Sequence, residues 1–308
     1  MVRRPGTYSI VVRDPETGEF GVGVQSHWFS VGLLVPWARP GVGAVATQAN
    51  VEVAYGPRAL DLLAAGASAQ DALAQLLAGD PSAATRQVAV VDAHDRAAAH
   101  TGELCVAFAG HVTASAISCQ GNMLASARVW PVMLEAFQEA RGSLAGRLLA
   151  ALDAAELQGG DARGRQSAAL LVVPAVGEPW RASVSLRVED HPAPLVELRR
   201  LLQLHDAYEL ADRADGLVGE GRHAEAARLY EEASALVPDN LELRFWAGLG
   251  MAQAGDLEQA VSYVRDVIEA EPRWRKLLSR LPPEMAPAGP AVASRLGVEL
   301  RDRSAPRD

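Results

Sequence analysis

The C-terminal third of this sequence repeats itself at a fixed interval, and this repeat constrains the fold more than any other feature. Five pairs of similar residues lie 34 positions apart: Gly221 and Gly255, Ala226 and Ala260, Pro238 and Pro272, Leu217 and Met251, and Tyr230 and Val264. Small residues let two helices approach closely, and proline ends a helix. The interval therefore predicts paired antiparallel helices over residues 206–281, with a capping helix near residues 274–281.

The preceding part of the chain has a different pattern, in which β-prone segments are interrupted by helical ones. Short apolar runs between turn residues predict strands at 7–12, 21–24, 41–46, 86–92, 97–101, 167–173 and 182–188. Leucine- and alanine-rich stretches predict helices at 54–77, in two pieces separated by Gly66, and at 129–155, with an interruption near Gly142. This order favours an α+β fold with two packed sheets covered by helices over a βαβ fold. The sequence therefore predicts two domains, residues 1–205 and residues 206–308.

Charge and hydropathy exclude several classes of protein. A net charge of −9 disfavours a nucleic-acid partner, because binding phosphates requires a basic surface. Since no apolar run approaches the roughly 20 residues of a membrane helix, we expect no membrane span. The first six residues carry two arginines with no apolar segment after them, so we expect no secretory signal. Two cysteines without a C-x-x-C motif indicate reduced thiols in a cytoplasmic protein.

The motifs of the commonest hydrolases and nucleotide-binding proteins are absent. The sequence contains no G-x-S-x-G, no G-x-x-x-x-G-K-[ST] and no H-E-x-x-H. Asp92, His94, Asp95 and His100 are potential metal ligands, but a turn between two strands explains them better. We therefore expect neither a metal nor a cofactor.

Three short segments could carry chemistry, and each has a simpler structural explanation. Residues 159–167 place a carboxylate, two guanidinium groups, an amide and a hydroxyl before a buried strand, or form only a charged glycine-rich turn. Asn122 follows Gly121 and could donate to an oxyanion, although a Gly-Asn turn is the simpler interpretation. Thr7 follows Gly6 at the start of the first strand, and a threonine with a free α-amino group can act as a nucleophile.

Taken together, these segments resemble a bacterial domain-of-unknown-function family, number one thousand twenty-eight, which is assigned to the N-terminal-nucleophile (Ntn) hydrolase superfamily. The similarity extends over about residues 7–205 and rests on six blocks in order: 7–11, 24–26, 37–48, 55–58, 120–122 and 160–169. The 34-residue interval in the second half resembles the tetratricopeptide repeat.

The resemblance implies a four-layer αββα sandwich and hydrolysis of an amide bond. By position, Thr7 would be the nucleophile and Asn122 an oxyanion donor, and Arg39 would help to keep the threonine amine deprotonated. The residues expected to line the substrate site are Arg39, Gln48, Gln120, Asp161, Arg165 and Gln166.

The leading hypothesis is an Ntn-type amidohydrolase acting on a small amide or peptide-like substrate, with the repeats serving docking to a protein partner or homo-oligomerisation. Six residues precede Thr7, so a free threonine amine requires cleavage between Gly6 and Thr7. Two alternatives stay open: a catalytically silent binding protein of the same fold, and a tetratricopeptide adaptor whose first domain is a scaffold.

Overall fold

The computed structural model describes residues 6–301 and separates into two compact units between Leu202 and Gln203. The predicted boundary after residue 205 lies three residues away from this division. Residues 1–5, most of the segment whose removal would expose Thr7, lie outside the described residues, as do residues 302–308 at the end of the predicted helical domain.

The first unit mixes strands and helices. Its strands are β1 (Thr7–Arg13), β2 (Phe20–Ser26), β3 (Pro36–Arg39), β4 (Gly43–Ala49), β5 (Arg86–Asp92), β6 (Ala97–Thr101), β7 (Gly110–Ala114), β8 (Ile117–Asn122), β9 (Ser167–Val173) and β10 (Val184–Val188). Its helices are α1 (Tyr55–Ala64), α2 (Ala69–Ala78), α3 (Val129–Glu139) and α4 (Leu144–Leu157), with 3-10 turns at Val31–Leu33 and Ala83–Thr85. Helix α5 (Pro194–Gly219) follows and continues into the second unit.

The strands form two antiparallel sheets. One sheet has the order β10-β9-β2-β1-β8-β7, and the other has the order β3-β4-β5-β6. Apolar side chains of β1, β2 and β9 pack against those of β4 and β5 between the sheets. Helices α3 and α4 cover the outer face of the first sheet, and α1 and α2 cover that of the second. The unit is therefore a four-layer αββα sandwich, as the resemblance implied.

Strand β1 shows how the sequence divides its side chains between these layers. Successive side chains of a strand point to opposite faces. Tyr8 and Ile10 pack with the helices α3 and α4, whereas Val11 packs against the other sheet. Thr7 and Ser9 are on the same face of β1 as Val11 and therefore point between the two sheets. They lie at one end of this inter-sheet layer, which is polar there.

Strands β3, β7 and β8 were not predicted from the sequence. The segment Gln120–Asn122, for which a turn was the simpler interpretation, forms the end of β8 and is paired with β1. Its glycine hides the strand pattern, because glycine is uncommon within strands. An added Cβ on Gly121 would clash with Cδ1 of Leu124 and lie 3.1 Å from the carbonyl oxygen of Thr7, so Leu124 and β1 together leave little room for a side chain.

The second unit is helical, as the repeat interval predicted. After α5 come α6 (His223–Leu236), α7 (Leu241–Gln253), α8 (Leu257–Ala270), α9 (Arg273–Leu278) and α10 (Gly289–Arg295). Helices α6 and α8 begin 34 residues apart and end 34 residues apart. Ala226 and Ala260 are fully buried, and a Cβ on Gly248 of α7 would lie 3.1 Å from the carbonyl oxygen of Ala260 in α8. Among the described residues, no helix combines the length and apolar character needed to cross a membrane.

Candidate active site

Backbone pairing brings three polar side chains together at one end of the layer between the sheets. Thr7 of β1 is directly opposite Ser26 of β2 on one side and Asn122 of β8 on the other. Directly opposed residues in antiparallel strands have Cβ atoms about 4.5–5.5 Å apart. The sheet register therefore gathers residues that are 19 and 115 positions from Thr7 in the sequence.

The Thr7 hydroxyl is buried against the peptide bond that precedes it. The Thr7 side chain is only 1% exposed, and its Oγ1 atom lies 2.6 Å from the carbonyl oxygen of Gly6 and 3.1 Å from Oγ of Ser26. The Ser26 hydroxyl also donates to the Gly6 oxygen, as does Nη2 of Arg163 at 2.9 Å. Three donor groups thus surround one carbonyl oxygen, an arrangement that stabilises negative charge developing on it.

Asp161 holds Arg163 in this position. Its carboxylate is fully buried and accepts hydrogen bonds from Nε (3.1 Å) and Nη2 (2.7 Å) of Arg163. The backbone N–H groups of Arg163 and His27 also donate to it, both at 2.9 Å. A guanidinium bound at two points has a fixed orientation. Asp161 therefore orients the guanidinium that contacts the Gly6 oxygen.

Backbone pairing also explains why the loop that carries Asp161 reaches this place. Residues 123–125, which follow β8, pair with this loop: Ala125 N–H donates to Gly160 O at 3.0 Å, and Ala162 N–H donates to Met123 O at 3.0 Å. Strand β9 then begins beside the end of β2, where the Gln166 N–H donates to Ser26 O at 3.1 Å. The loop is fixed on both sides of the Thr7 hydroxyl.

Buried amides form a network beneath Thr7. The Gln87 Oε1 atom accepts from Nε2 of Gln48 at 2.8 Å and from Nδ2 of Asn122 at 2.9 Å. The Ser9 hydroxyl donates to Oε1 of Gln48 at 2.7 Å and accepts from Nε2 of Gln120 at 2.6 Å. Gln48 also reaches the carbonyl oxygen of Thr7 at 3.5 Å. An amide nitrogen carries two hydrogens, and within residues 6–301 that of Asn122 donates one of them to Gln87.

Glu156 of α4 anchors the other face of β1. Its carboxylate accepts from the Tyr8 hydroxyl at 2.7 Å and from Nε of Arg165 at 2.5 Å. Burial, followed by the charge of Glu156, raises the pKa of Tyr8 well above its usual range. Tyr8 therefore stays protonated and donates to Glu156, which fixes the residue next to Thr7.

Two non-glycine residues adopt left-handed backbone conformations beside the network. Ala49 follows Gln48 with a φ of 67°, and Met123 follows Asn122 with a φ of 53°. Such conformations cost about 1–3 kcal/mol each and are concentrated at functional sites. The strain falls at the ends of β4 and β8, beside the two amides, Gln48 and Asn122, that bond to Gln87.

Three of the residues expected to line the site lie apart from the Thr7 hydroxyl. Arg39 ends β3 and bonds to Asp61 of α1 at 2.8 Å. It is paired with Gly43, five residues from Gln48 along β4, or about 16 Å at 3.3 Å per residue. The Arg165 side chain points to Glu156, and that of Gln166 donates to Asp190 at 3.2 Å.

Ser26, Gln87 and Arg163 were not among the predicted site residues, although Arg163 lies in the candidate segment 159–167. Gln87 is a fully buried amide in a strand of otherwise apolar character, Gln-Val-Ala-Val-Val, and that contrast is a usable signal. Ser26 lies in one of the blocks that carry the resemblance. Arg163 and Arg165 are two residues apart in the same loop, and no local pattern distinguishes them.

The potential metal ligands near the β5–β6 turn have partners within the protein: Asp95 pairs with Arg13 at 2.6 Å, and Nε2 of His100 lies 2.9 Å from the carbonyl oxygen of Ala83. The Asp92 carboxylate accepts from the backbone N–H groups of Ala69, His94 and Arg96, at 2.9, 2.9 and 3.2 Å. Burial alone would raise the pKa of Asp92, but these bonds and the Arg96 guanidinium lower it. No group of three or more His, Cys, Asp or Glu side chains within residues 6–301 is arranged to hold a metal.

The helical unit contains a separate groove between α5, α7 and residues 285–287. Its volume is about 460 Å³. Acidic and aromatic side chains line it: Tyr208, Asp212, Asp215, Tyr230, Glu242 and Trp246. The Tyr208 hydroxyl donates to Glu242 at 2.6 Å, and the Tyr230 hydroxyl donates to Asp215. The groove is therefore chemically suited to a cationic group.

Comparison with known proteins gives two family matches. A family described as "Family of unknown function (DUF1028)" matches residues 7–198, and the tetratricopeptide repeat matches residues 217–281. Among solved structures, the chain is similar to the crystal structure of protein SPO2555 from Silicibacter pomeroyi, also described as DUF1028. The two are 36% identical with a TM-score of 0.60, over 64% of this chain and 85% of that one. A search of curated proteins finds no match.

Proposed function

Because this chain belongs to the DUF1028 family, whose match begins at Thr7, we propose that Thr7 is the nucleophile of an Ntn-type amidohydrolase. The observation that carries the proposal is the 2.6 Å separation between the Thr7 hydroxyl and the carbonyl oxygen of Gly6, which Ser26 and Arg163 also contact. The Thr7 hydroxyl thus lies beside the carbonyl that it would attack, and the other two donors polarise that carbonyl. The substrate is a small amide or peptide-like molecule, and neither metal nor cofactor takes part.

The first reaction is cleavage of the chain itself between Gly6 and Thr7. Oγ1 of Thr7 attacks the Gly6 carbonyl carbon, and its proton passes to the Thr7 nitrogen as the C–N bond breaks. Arg163 and Ser26 stabilise the negative charge on the Gly6 oxygen. Water then hydrolyses the ester, which leaves a carboxylate on Gly6 and a free α-amine on Thr7.

The same threonine then acts on substrate. The α-amino group has an ordinary pKa of about 7.7–8.0, so near neutral pH it can accept the hydroxyl proton. The amine passes that proton to the leaving nitrogen of the substrate, and water releases the acyl group. Asn122 lies opposite Thr7 and has a second amide hydrogen besides the one donated to Gln87, which supports its role as a second oxyanion donor. Asp161 orients Arg163 toward the carbonyl oxygen.

Intact mass spectrometry of Thr7 variants tests the proposal. The wild-type chain should lose Met1–Gly6, and Thr7→Ser should do so as well because it keeps the hydroxyl. Thr7→Val has nearly the same shape but no hydroxyl, so it should stay uncleaved and inactive toward amides. Thr113→Val makes the same exchange on an exposed residue of β7 and should behave as wild type.

The amidohydrolase and the catalytically silent binding protein predict different outcomes. If the wild-type chain stays uncleaved and inactive, the hypothesis of a catalytically silent binding protein is favoured. If Thr7→Val still cleaves itself or hydrolyses amides, Thr7 is not the nucleophile.

We further propose that the helical unit docks a protein partner. Tetratricopeptide repeats are protein-interaction modules, and the acidic, aromatic groove favours a segment that carries lysine or arginine. The scarcity of cysteine supports a cytoplasmic location for both activities. Binding of a lysine-rich peptide to the full chain, measured by calorimetry, should weaken at least tenfold in Glu242→Gln/Asp212→Asn. Equal affinity in that variant would rule out the groove as the docking site.

A further inference from the structure

The surroundings of Gly6 restrict what can occupy its place. An ideal Cβ built on Gly6 would lie 2.9 Å from both carboxylate oxygens of Asp161 and 2.9 Å from Cβ of Met123. These distances are shorter than carbon atoms tolerate from carbon or oxygen neighbours. An L-amino acid with a side chain therefore does not fit here unless these groups move.

The groups that close this space are held firmly. Asp161 is bound by the Arg163 guanidinium and by two backbone N–H groups, so its carboxylate is not free to rotate away. Met123 donates its N–H to Val106 O at 2.7 Å and accepts from Ala162 at 3.0 Å, which fixes its Cβ. The space around Gly6 is thus a rigid pocket for a CH₂ group beside a carbonyl.

We propose that this pocket becomes the acyl subsite of the mature enzyme and that it selects glycyl amides over amides of L-amino acids with side chains. The inference rests on the proposed function, because the pocket empties only when the chain is cleaved after Gly6. The carbonyl of a substrate glycine takes the place of the Gly6 carbonyl, with its oxygen toward Arg163 and Ser26. The C–N bond of the amide breaks as the bond to Oγ1 of Thr7 forms. The amine carries away the hydroxyl proton, and water releases glycine or an N-acylglycine.

The test compares two substrates on the wild-type protein. N-acetylglycine para-nitroanilide and its N-acetyl-L-alanine counterpart differ by one methyl group at the position of the missing Cβ. The glycine compound should have a kcat/KM at least tenfold higher. Intact mass, recorded on the same sample, reports whether Thr7 is free.

Each outcome separates this inference from the function on which it rests. A ratio below tenfold in a cleaved, active protein overturns the glycyl subsite and leaves the amidohydrolase intact. A third substrate, phenylacetamide, is an amide without an amino-acid acyl group. If a cleaved protein hydrolyses only this substrate, the glycyl subsite is likewise overturned and the amidohydrolase is not. An uncleaved protein that hydrolyses none of the three overturns the proposed function, and the subsite with it.

Self-cleavage gives a second measurement. Gly6→Ala introduces the clashing methyl group and should slow cleavage at least tenfold, as followed by intact mass over time. Gly79→Ala adds the same group where no atom lies within 4 Å, and should cleave at the wild-type rate. Circular dichroism verifies that both variants are folded. Wild-type cleavage in Gly6→Ala would show that the pocket is not closed to a side chain.

Discussion

Replacing Arg163 by methionine separates the two roles assigned to its guanidinium, which are neutralising Asp161 and contacting the Gly6 oxygen. The Asp161 side chain is fully buried, whereas that of Arg163 is 28% exposed. Removing one partner of a buried ion pair typically costs about 3–5 kcal/mol, because the other charge stays buried without compensation. Two backbone N–H groups would still donate to Asp161, so we expect a loss of about 3 kcal/mol, at the lower end of that range.

The same substitution removes one of the donors to the Gly6 oxygen. Loss of a single oxyanion donor lowers the rate of acyl transfer by about 10²–10³-fold in well-studied hydrolases. Arg163→Met should therefore slow cleavage between Gly6 and Thr7 by about that factor. The Ser26 hydroxyl remains in place and should support the residual rate.

Urea unfolding, followed by fluorescence, and intact mass over time measure the two effects. Arg165→Met is the matched control, since Arg165 comes from the same loop but is 51% exposed and paired with Glu156. Exposed ion pairs contribute about 0–1 kcal/mol, so that variant should be nearly as stable as wild type and cleave normally. If the two variants lose equal stability, or if Arg163→Met cleaves at the wild-type rate, the assignment of Arg163 is wrong.

Two further predictions concern parts of the molecule away from Thr7. Ala226→Leu should overpack the buried helix crossing and cost about 1–3 kcal/mol in urea unfolding, whereas Ala224→Leu on the exposed side of α6 should cost little. Hydrogen bonding from Arg86 leads the contributions that lower the pKa of Asp80 from 3.8 to about 2. The ionised Asp80 carboxylate therefore stabilises the folded protein above pH 4, and this stabilisation is lost as the pH falls toward 2. Asp80→Asn should be less stable than wild type at pH 7 but lose less stability between pH 4 and 2, while Asp61→Asn should match wild type in urea midpoints across this range.

Much of the fold could be predicted from the sequence, because the information is local. Helices α6 and α8 follow from small residues and prolines at one interval, and α1 and α2 follow from leucine spacing broken at Gly66. The elements that could not be predicted include a short strand and a glycine-containing strand. Strand β3 spans only four residues, and β8 carries Gly121, where Leu124 and β1 together leave little room for a side chain.

The candidate site also contains some residues that could be predicted from the sequence and others that could not. Thr7, Asn122 and Asp161 were candidates from the sequence, since each lies beside a strand or a glycine, and the family resemblance gave them their expected roles. It did not determine that Ser26 and Gln87 join them, since that depends on strand register between segments far apart in the chain.

What the sequence by itself determined is therefore the type and order of most elements, though not of β3, β7 and β8. The predicted elements follow from periodicity and turn residues over a few positions. Tertiary structure decided which side chains meet. Arg163 and Arg165 are chemically identical and two residues apart. Arg163 contacts Asp161 and the Gly6 oxygen, whereas Arg165 contacts Glu156. The loop is fixed by pairing with Met123 and Ala125, and that long-range pairing sets the direction of each guanidinium.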